Sequence, residues 1–308
     1  MANITAGMVK DLREKTGAGM MDCKNALAET AGDLEAAVDW LRKKGISKAA
    51  KKAGRVAAEG LVGVAVRGNR GALVEVNSET DFVARNDTFK AFTKETAALA
   101  LDAQGDLDRL LAAKMANGAS VQESLTNMIA NIGENMTLRR AGVLEVEPGI
   151  VVSYVHNSAA PELGRIGVLV ALRSTADSAK LAPIAKQLAM HIAFAAPQAL
   201  THEQLPADVV ARERSIQADI ARQSGKPENV VEKMIEGRMR KFYEEAVLLS
   251  QIFAIDNETQ IAKVVERASN EAGAPVEIAG FLRFAVGEGI ERPDGGDFAG
   301  EVKAMAGH

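Results

Sequence analysis

The chain has 308 residues, and its 41 acidic side chains against 37 Lys and Arg give a formal net charge of −4. This mild acidity argues against nonspecific nucleic-acid binding, which needs a basic face, and an aromatic content of 4% leaves few platforms on which bases could stack. One cysteine excludes an internal disulfide, the N-terminus has no apolar secretory core, and no apolar run is long enough to span a bilayer, so we expect a soluble, cytoplasmic protein without membrane contact.

Residues 1–45 are predicted to form a domain of three short helices. Thr5 and Asp33 are placed to cap the first and the third helix, and Gly45 is expected just past the end of the third. The positions predicted to face inward are apolar, and include Met8, Val9, Leu12, Cys23, Leu27, Leu34, Val38 and Leu41.

Met20 and Met21 follow the glycine turn that separates the first two helices. Adjacent residues cannot both face the same core, so we expect one of them at the surface. Two interpretations stay open for this pair: methionine that fills gaps in the core, and a soft contact patch for a partner helix.

Residues 46–59 are predicted to be a basic, alanine-rich linker, helical and exposed to solvent, and we assign it no site. Residues 60–147 follow as the first subdomain of the core. We expect strands over 61–66 and 72–76, helices over about 88–103 and 120–135, and a third strand over about 139–146.

The joint between the second strand and the first helix of this subdomain is polar. Ser78 and Thr80 are expected to cap a first turn, and Asn86 offers a second cap, so Asp81 to Val83 should form a single helical turn. Phe82 has two interpretations there. It is either a core residue seven positions before Phe89, or the exposed tip of a wedge beside the Asp81 carboxylate.

Residues 148–288 repeat the plan of two strands, helices and a strand, which indicates an internal duplication and an α+β fold with antiparallel sheets. His156 is expected to end the first strand before a long turn through Pro161 and Gly164, as a hydrogen-bonded rim residue or as a contact site. An antiparallel helical hairpin at about 205–247, broken at Gly225 and Pro227, is predicted as an insertion.

Residues 289–308 are predicted to form a tether and a short amphipathic helix, because Phe298, Val302 and Met305 recur at spacings of four and three. A terminal helix of this size needs a surface to dock on.

Motifs of catalysis are absent from the sequence. There is no phosphate-binding Gly-rich loop, no dinucleotide fingerprint and no nucleophile elbow, and the four histidines show no metal-ligand spacing with Cys23. We therefore expect no catalytic residues, no cofactor and no metal. A binding protein is favoured over the alternative of a small-molecule enzyme built on the duplicated core.

Two long sequence motifs resemble those of a known protein family. Residues 75–85, EVNSETDFVAR, and residues 12–27, LREKTGAGMMDCKNAL, resemble the central and N-terminal motifs of elongation factor Ts, the exchange factor for elongation factor Tu, and the resemblance runs along the whole chain. It implies a ubiquitin-associated-type bundle at 1–45 and a projecting coiled coil at the insertion. It also implies that the C-terminal helix docks on elongation factor Tu.

The resemblance further implies a guanine nucleotide exchange factor, active in translation elongation, that binds GDP-bound and nucleotide-free elongation factor Tu. Phe82 would insert between helices of the GTPase domain, and Asp81 would help to displace the segment that holds the magnesium water shell and the phosphate loop. Contacts with the partner are implied at Leu12, Met20, Met21, Thr80, Asp81, Phe82, Val83, Gly133 and His156. A homodimer or a heterotetramer with the partner stays open, and so does the alternative of a scaffold or chaperone-like module without exchange activity.

Overall fold

The computed structural model describes residues 4–16 and 18–291, so the predicted helix around Phe298, Val302 and Met305 lies outside the described residues. The strands are β1 (Glu59–Arg67), β2 (Arg70–Ser78), β3 (Met136–Glu145), β4 (Gly149–Ala160), β5 (Leu163–Arg173) and β6 (Glu277–Ala285). The α-helices are α1 (Ala6–Thr16), α2 (Met20–Glu29), α3 (Leu34–Ala50), α4 (Asp81–Arg85), α5 (Asp87–Asp102), α6 (Leu107–Ala112), α7 (Val121–Ile132), α8 (Ser178–Ala195), α9 (Ala207–Arg222), α10 (Glu228–Ala246) and α11 (Ile261–Ala272).

The three N-terminal helices form the predicted bundle around a small core that includes Leu12, Leu27 and Leu41. Asp33 caps α3 as expected, since its side chain accepts a hydrogen bond of 3.0 Å from the Ala36 N–H. The expected end of α3 at Gly45 is wrong. The helix runs on to Ala50, and Gly45, buried inside it, lies against α7.

The six strands form one curled antiparallel sheet made of two similar halves. In the first half β1 and β2 form a hairpin and β3 pairs with β2; in the second half β4 and β5 form a hairpin and β6 pairs with β5. A short pairing of β1 with β5, at Val62 and Gly63, joins the halves. The predicted α+β fold and the repeated plan are confirmed, and the exact domain boundaries stay a prediction.

Each half buries one sheet face under its own helices, with Val76 and Phe89 in the first core and Val170 and Leu188 in the second. The opposite faces of the two halves meet in a third core, which contains Val62, Val64, Leu73, Val151, Leu169 and Phe284. This contact is close. A Cβ atom added at Gly167 would lie 2.6 Å from Val62 Cγ1, so the approach of the two sheet faces requires glycine there.

The expected long turn between β4 and β5 is wrong, because the two strands form a tight hairpin. β4 does not end at His156 but continues to Ala160, because the ladder goes on through Ser158 and Gly164 with a register shift before Ala160. The turn itself is short, and Glu162 has a positive φ of 68°.

The inserted helical hairpin is present as α9 and α10, with Gly225 at φ 67° between them. Pro227 lies at the N-cap of α10 and not at its first helical residue. Ala221, Val231, Ile235 and Met239 form the hairpin's own buried core. Among the described residues, no helix is long and apolar enough to cross a membrane.

Candidate partner-binding surface

The short helix α4 presents an aromatic ring to solvent. Phe82 is 72% exposed, whereas its neighbours Val83 and Ala84 are buried in the first core. The core interpretation of Phe82 is therefore wrong. Phe89 of α5, which is fully buried, fills the core instead. A large exposed ring on an anchored turn is typical of a contact residue, because apolar side chains of this size gain free energy when a partner covers them.

The Phe82 ring stands beside two charges. Arg85 Nη2 donates to Asp81 Oδ2 at 2.7 Å, one helical turn apart, and the Arg85 guanidinium carbon lies 5.7 Å from the centroid of the Phe82 ring. Both charged side chains are exposed, so they can exchange this internal pair for groups on a partner.

The expected caps of α4 are not formed. Ser78 Oγ donates to the Thr80 carbonyl at 2.9 Å, and Thr80 makes no side-chain cap although it occupies the N-cap position. Instead, the Thr80 N–H and Oγ1 donate to the two carboxylate oxygens of Glu134, at 3.0 and 2.8 Å. The second predicted cap is confirmed, since Asn86 Oδ1 accepts hydrogen bonds from the Thr88 and Phe89 N–H groups.

Gly133 is brought next to this site. It ends α7 in the left-handed conformation at φ 87°, with open space where a Cβ would stand, and Glu134 follows it directly. Thr80, Asp81, Phe82 and Gly133 therefore belong to one surface, which we call the α4 surface.

The other predicted contact residues lie elsewhere. Met20 and Met21 on α2 are 60% and 66% exposed, so both lie at the surface and not just one. His156 is exposed on β4, and its Nδ1 lies 3.1 Å from the Tyr154 hydroxyl. In the sheet, β1 and β5 separate β4 from β2, the strand that leads into α4.

Two predicted contact residues are not at the surface. Leu12 is 0% exposed inside the N-terminal bundle, and Val83 is 4% exposed inside the first core. Their side chains hold α1 and α4 in place, and no partner reaches them in this conformation.

A cavity of ≈ 490 Å³ lies between the N-terminal bundle and α7. Two acids line it, and both are already engaged. A hydrogen bond from Lys48 lowers the pKa of Asp22, and the Ser120 N–H lowers the pKa of the Glu123 carboxyl, which forms a capping box with Ser120. The cavity thus offers no acid poised for proton transfer, and within 4–16 and 18–291 no group of His, Cys, Asp and Glu could hold a metal ion.

Sequence reasoning missed two features. One is the bonding of Thr80 to Glu134, for which no local pattern exists because the residues are 54 positions apart. The other is an exposed apolar pair on α8, Met190 at 39% and Phe194 at 82% exposure. Their spacing of four residues, off the face that carries Leu188 and Ile192, was a readable signal.

The family model and the similar proteins all carry the same description, elongation factor Ts. The family model described as Elongation factor TS matches residues 79–288. Elongation factor Ts of Rhodospirillum rubrum is 58% identical over 307 residues, which cover 99% of both chains. That of Rhodospirillum centenum is 59% identical over 308 residues and covers 100% of both, and that of Maricaulis maris is 57% identical over 310 residues, covering 100% of this chain and 99% of its own.

Proposed function

This chain belongs to the elongation factor Ts family, and from that premise we propose that it is a guanine nucleotide exchange factor that binds elongation factor Tu in the cytoplasm and accelerates GDP release during translation elongation. The observation that carries the proposal is the exposed Phe82 ring on an anchored helical turn, next to the Asp81 carboxylate. The factor acts by binding and has no catalytic residue of its own.

The mechanism follows from linkage. If the factor and GDP weaken each other's binding to elongation factor Tu, the coupling is reciprocal, and each tenfold loss of GDP affinity requires about 1.4 kcal/mol of differential binding. A magnesium ion that bridges the nucleotide phosphates is a large local charge, so a change in its surroundings is an efficient way to supply that energy.

In this mechanism Phe82 inserts between helices of the GTPase domain, and Asp81 exchanges Arg85 for groups near the magnesium and phosphate site. Met20 and Met21 provide a second contact, on the N-terminal bundle, and Gly133 and His156 lie at further contacts. The factor binds both the GDP-bound and the nucleotide-free partner, and binding of GTP to the emptied site then releases it.

Release of fluorescent GDP from elongation factor Tu, after rapid mixing with this protein and excess unlabelled GDP, tests the proposal. We expect a concentration-dependent acceleration that Phe82→Ala reduces. Burying a Phe side chain is worth about 1.5–3 kcal/mol, so at subsaturating factor the loss should be roughly 10- to 150-fold.

Phe194→Ala is the matched control, because it removes another largely exposed ring, from the other half of the molecule. It should reduce release much less than Phe82→Ala does. Equal losses in both variants would contradict a specific role of the α4 surface.

The affinities for GDP-bound and nucleotide-free elongation factor Tu distinguish the scaffold alternative from an exchange factor. The exposed Met20, Met21 and Phe194 side chains would suit a module that only binds proteins. Such a module would bind GDP-bound and nucleotide-free elongation factor Tu equally well, because a ligand that does not distinguish two states shifts neither of them.

A further inference from the structure

Near α4, the connection from β2 to α4 is hydrogen-bonded to the connection from α7 to β3. On one side, Thr80 donates twice to the Glu134 carboxylate, from its N–H at 3.0 Å and from its hydroxyl at 2.8 Å. On the other side, the Asn135 N–H donates to Oε1 of Glu79. Residues 79–80 and 134–135 thus exchange hydrogen bonds reciprocally, and we call these four residues the clasp.

The clasp also ties in the segment that enters β1. Asn135 Nδ2 donates to the Arg55 carbonyl at 2.6 Å, and Arg55 Nη1 lies 3.5 Å from Glu79 Oε2. Three connections, those that lead into β1, α4 and β3, therefore converge on one point of the fold.

Helix α4 needs such support. It has five residues, and a helix of this length is unstable on its own because it fixes many dihedral angles for very few hydrogen bonds. Val83 and Ala84 anchor its inner face, and Asn86 anchors the start of the next helix. Glu134 is the group that holds the N-terminal side of α4, directly before Asp81 and Phe82.

We propose that Glu134 is a positioning residue for nucleotide exchange: by holding Thr80 it fixes the direction in which Phe82 projects before the partner arrives. This inference rests on the proposed function. Ordering a flexible backbone costs free energy for every residue fixed, and a wedge that is ordered in advance does not incur that cost on binding. A clasp across 54 positions of sequence supplies this order from within the chain itself.

Glu134→Gln tests the role with little change in volume. Its side chain keeps one carbonyl oxygen but turns an N–H₂ group toward Thr80, so one of the two hydrogen bonds is lost. Thr80→Val removes the hydroxyl donor, and Thr80→Ser restores it. We expect Glu134→Gln and Thr80→Val to slow GDP release from elongation factor Tu by roughly tenfold, and Thr80→Ser to match the wild-type rate.

Glu95→Gln is the matched control. Glu95 on α5 also accepts a hydrogen bond from a loop N–H, that of Ala116, but at a different connection. It should leave the rate of GDP release unchanged. A comparable loss in Glu95→Gln would overturn the assignment, since the effect would then reflect general loosening of the fold.

A double-mutant cycle separates positioning from a merely structural role. If Glu134 acts through Phe82, Glu134→Gln should slow GDP release in the wild-type background and have no further effect in the Phe82→Ala background. Independent, multiplicative effects would overturn the proposal. Hydrogen exchange should show faster exchange of the Thr80 amide and of residues 81–85 in Glu134→Gln, at an unchanged melting temperature.

Failure of the inference and failure of the proposed function give different results. If the wild-type chain accelerates GDP release and Glu134→Gln does so equally well, the positioning role is wrong and the exchange function stands. If the wild-type chain does not accelerate release, the exchange function is wrong and the positioning role falls with it, whatever hydrogen exchange shows at Thr80.

Discussion

His191 is a buried histidine whose two ring nitrogens are both engaged. Gln251 Nε2 donates to the Glu245 carbonyl, so the Gln251 Oε1 atom faces His191 Nε2, at 2.8 Å, and accepts a hydrogen bond from the Nε2–H group. The other nitrogen, Nδ1, accepts a hydrogen bond from the Ala254 N–H at 3.2 Å. A second proton on the ring would face that N–H, so this network fits only the neutral ring.

Stability of the fold should therefore depend on pH through His191. Burial lowers the pKa of His191, so below the ordinary value of about 6.5 the unfolded chain binds a proton that the folded chain does not. Stability is then lost as pH falls from about 6.5 toward the folded pKa, by at most about 1.4 kcal/mol per pH unit.

Urea unfolding at pH 7.5 and 5.5 measures this loss. His191→Asn, which keeps an acceptor for the Ala254 N–H, should be less stable at pH 7.5 but lose less between the two pH values than the wild type. His202→Gln, at an exposed position, should lose as much as the wild type. An unchanged pH dependence in His191→Asn would show that other groups cause it.

For single residues, sequence patterns identify candidate contact residues but do not predict which way their side chains point. Phe82 and Phe89 share a helical spacing, yet Asn86 caps a new helix between them, so one ring is exposed and the other is buried. Leu12 was expected to contact a partner, yet its side chain is buried in the core of the N-terminal bundle. A side chain's direction depends both on where each helix begins and on how that helix packs against the rest of the fold.

Among the elements, the contact between α3 and α7 places the N-terminal bundle on the first half of the core. Gly45 lies in the interior of α3, and a Cβ there would stand 3.7 Å from Ala130 Cβ and from Asn127 Oδ1, at ordinary contact distance. Arg42 also bridges the two helices through Glu123 at 2.7 Å.

Gly45→Ala should stabilise the chain. The methyl group fits the available space, and alanine in a helix interior is favoured over glycine by roughly 0.5–1 kcal/mol. Gly237→Ala on α10, where a Cβ would meet nothing within 4 Å, measures the helix-propensity gain alone. A fall in the urea midpoint for Gly45→Ala, together with a rise for Gly237→Ala, would show that α3 and α7 have no room for a methyl group.

Element types were readable from the sequence more reliably than element ends. The helical hairpin at α9 and α10 and each of the six strands follow from periodicity. The extension of α3 past Gly45 and of β4 past His156 do not, because in both places a tertiary or cross-strand contact overrides a local stop signal.

Over the whole molecule, the sequence indicated a repeated unit but not how the two copies meet. Strands with apolar residues on both faces are compatible with several stackings. The close approach at Gly71 and Gly167 becomes visible only when the opposite faces are in place. A Cβ at Gly71 would lie 2.8 Å from both Val151 and Leu169 of the second half, which explains why glycine is the second residue of β2.

The two halves are also joined by a buried carboxylate. Glu75 on β2 is 0% exposed, and it accepts hydrogen bonds from Arg140 Nε at 2.6 Å and from the Gly287 N–H, just after β6, at 2.8 Å. Arg139 Nη1 donates to it at 3.2 Å, and Arg139 Nη2 donates to the Glu288 carbonyl at 2.7 Å. One side chain thus connects β2, β3 and the segment after β6.

Glu75→Gln should destabilise the fold by about 1.5–3 kcal/mol, since the buried side chain loses the charge that strengthens its hydrogen bonds with Arg139 and Arg140. Glu145→Gln is the matched control. Glu145 pairs with Arg70 at 3.0 Å across the same two strands, β2 and β3, but it is half exposed, so its loss should cost at most about 1 kcal/mol. The urea midpoints of the two variants compare the two losses of stability. Equal shifts would mean that the buried carboxylate contributes no more than a surface pair.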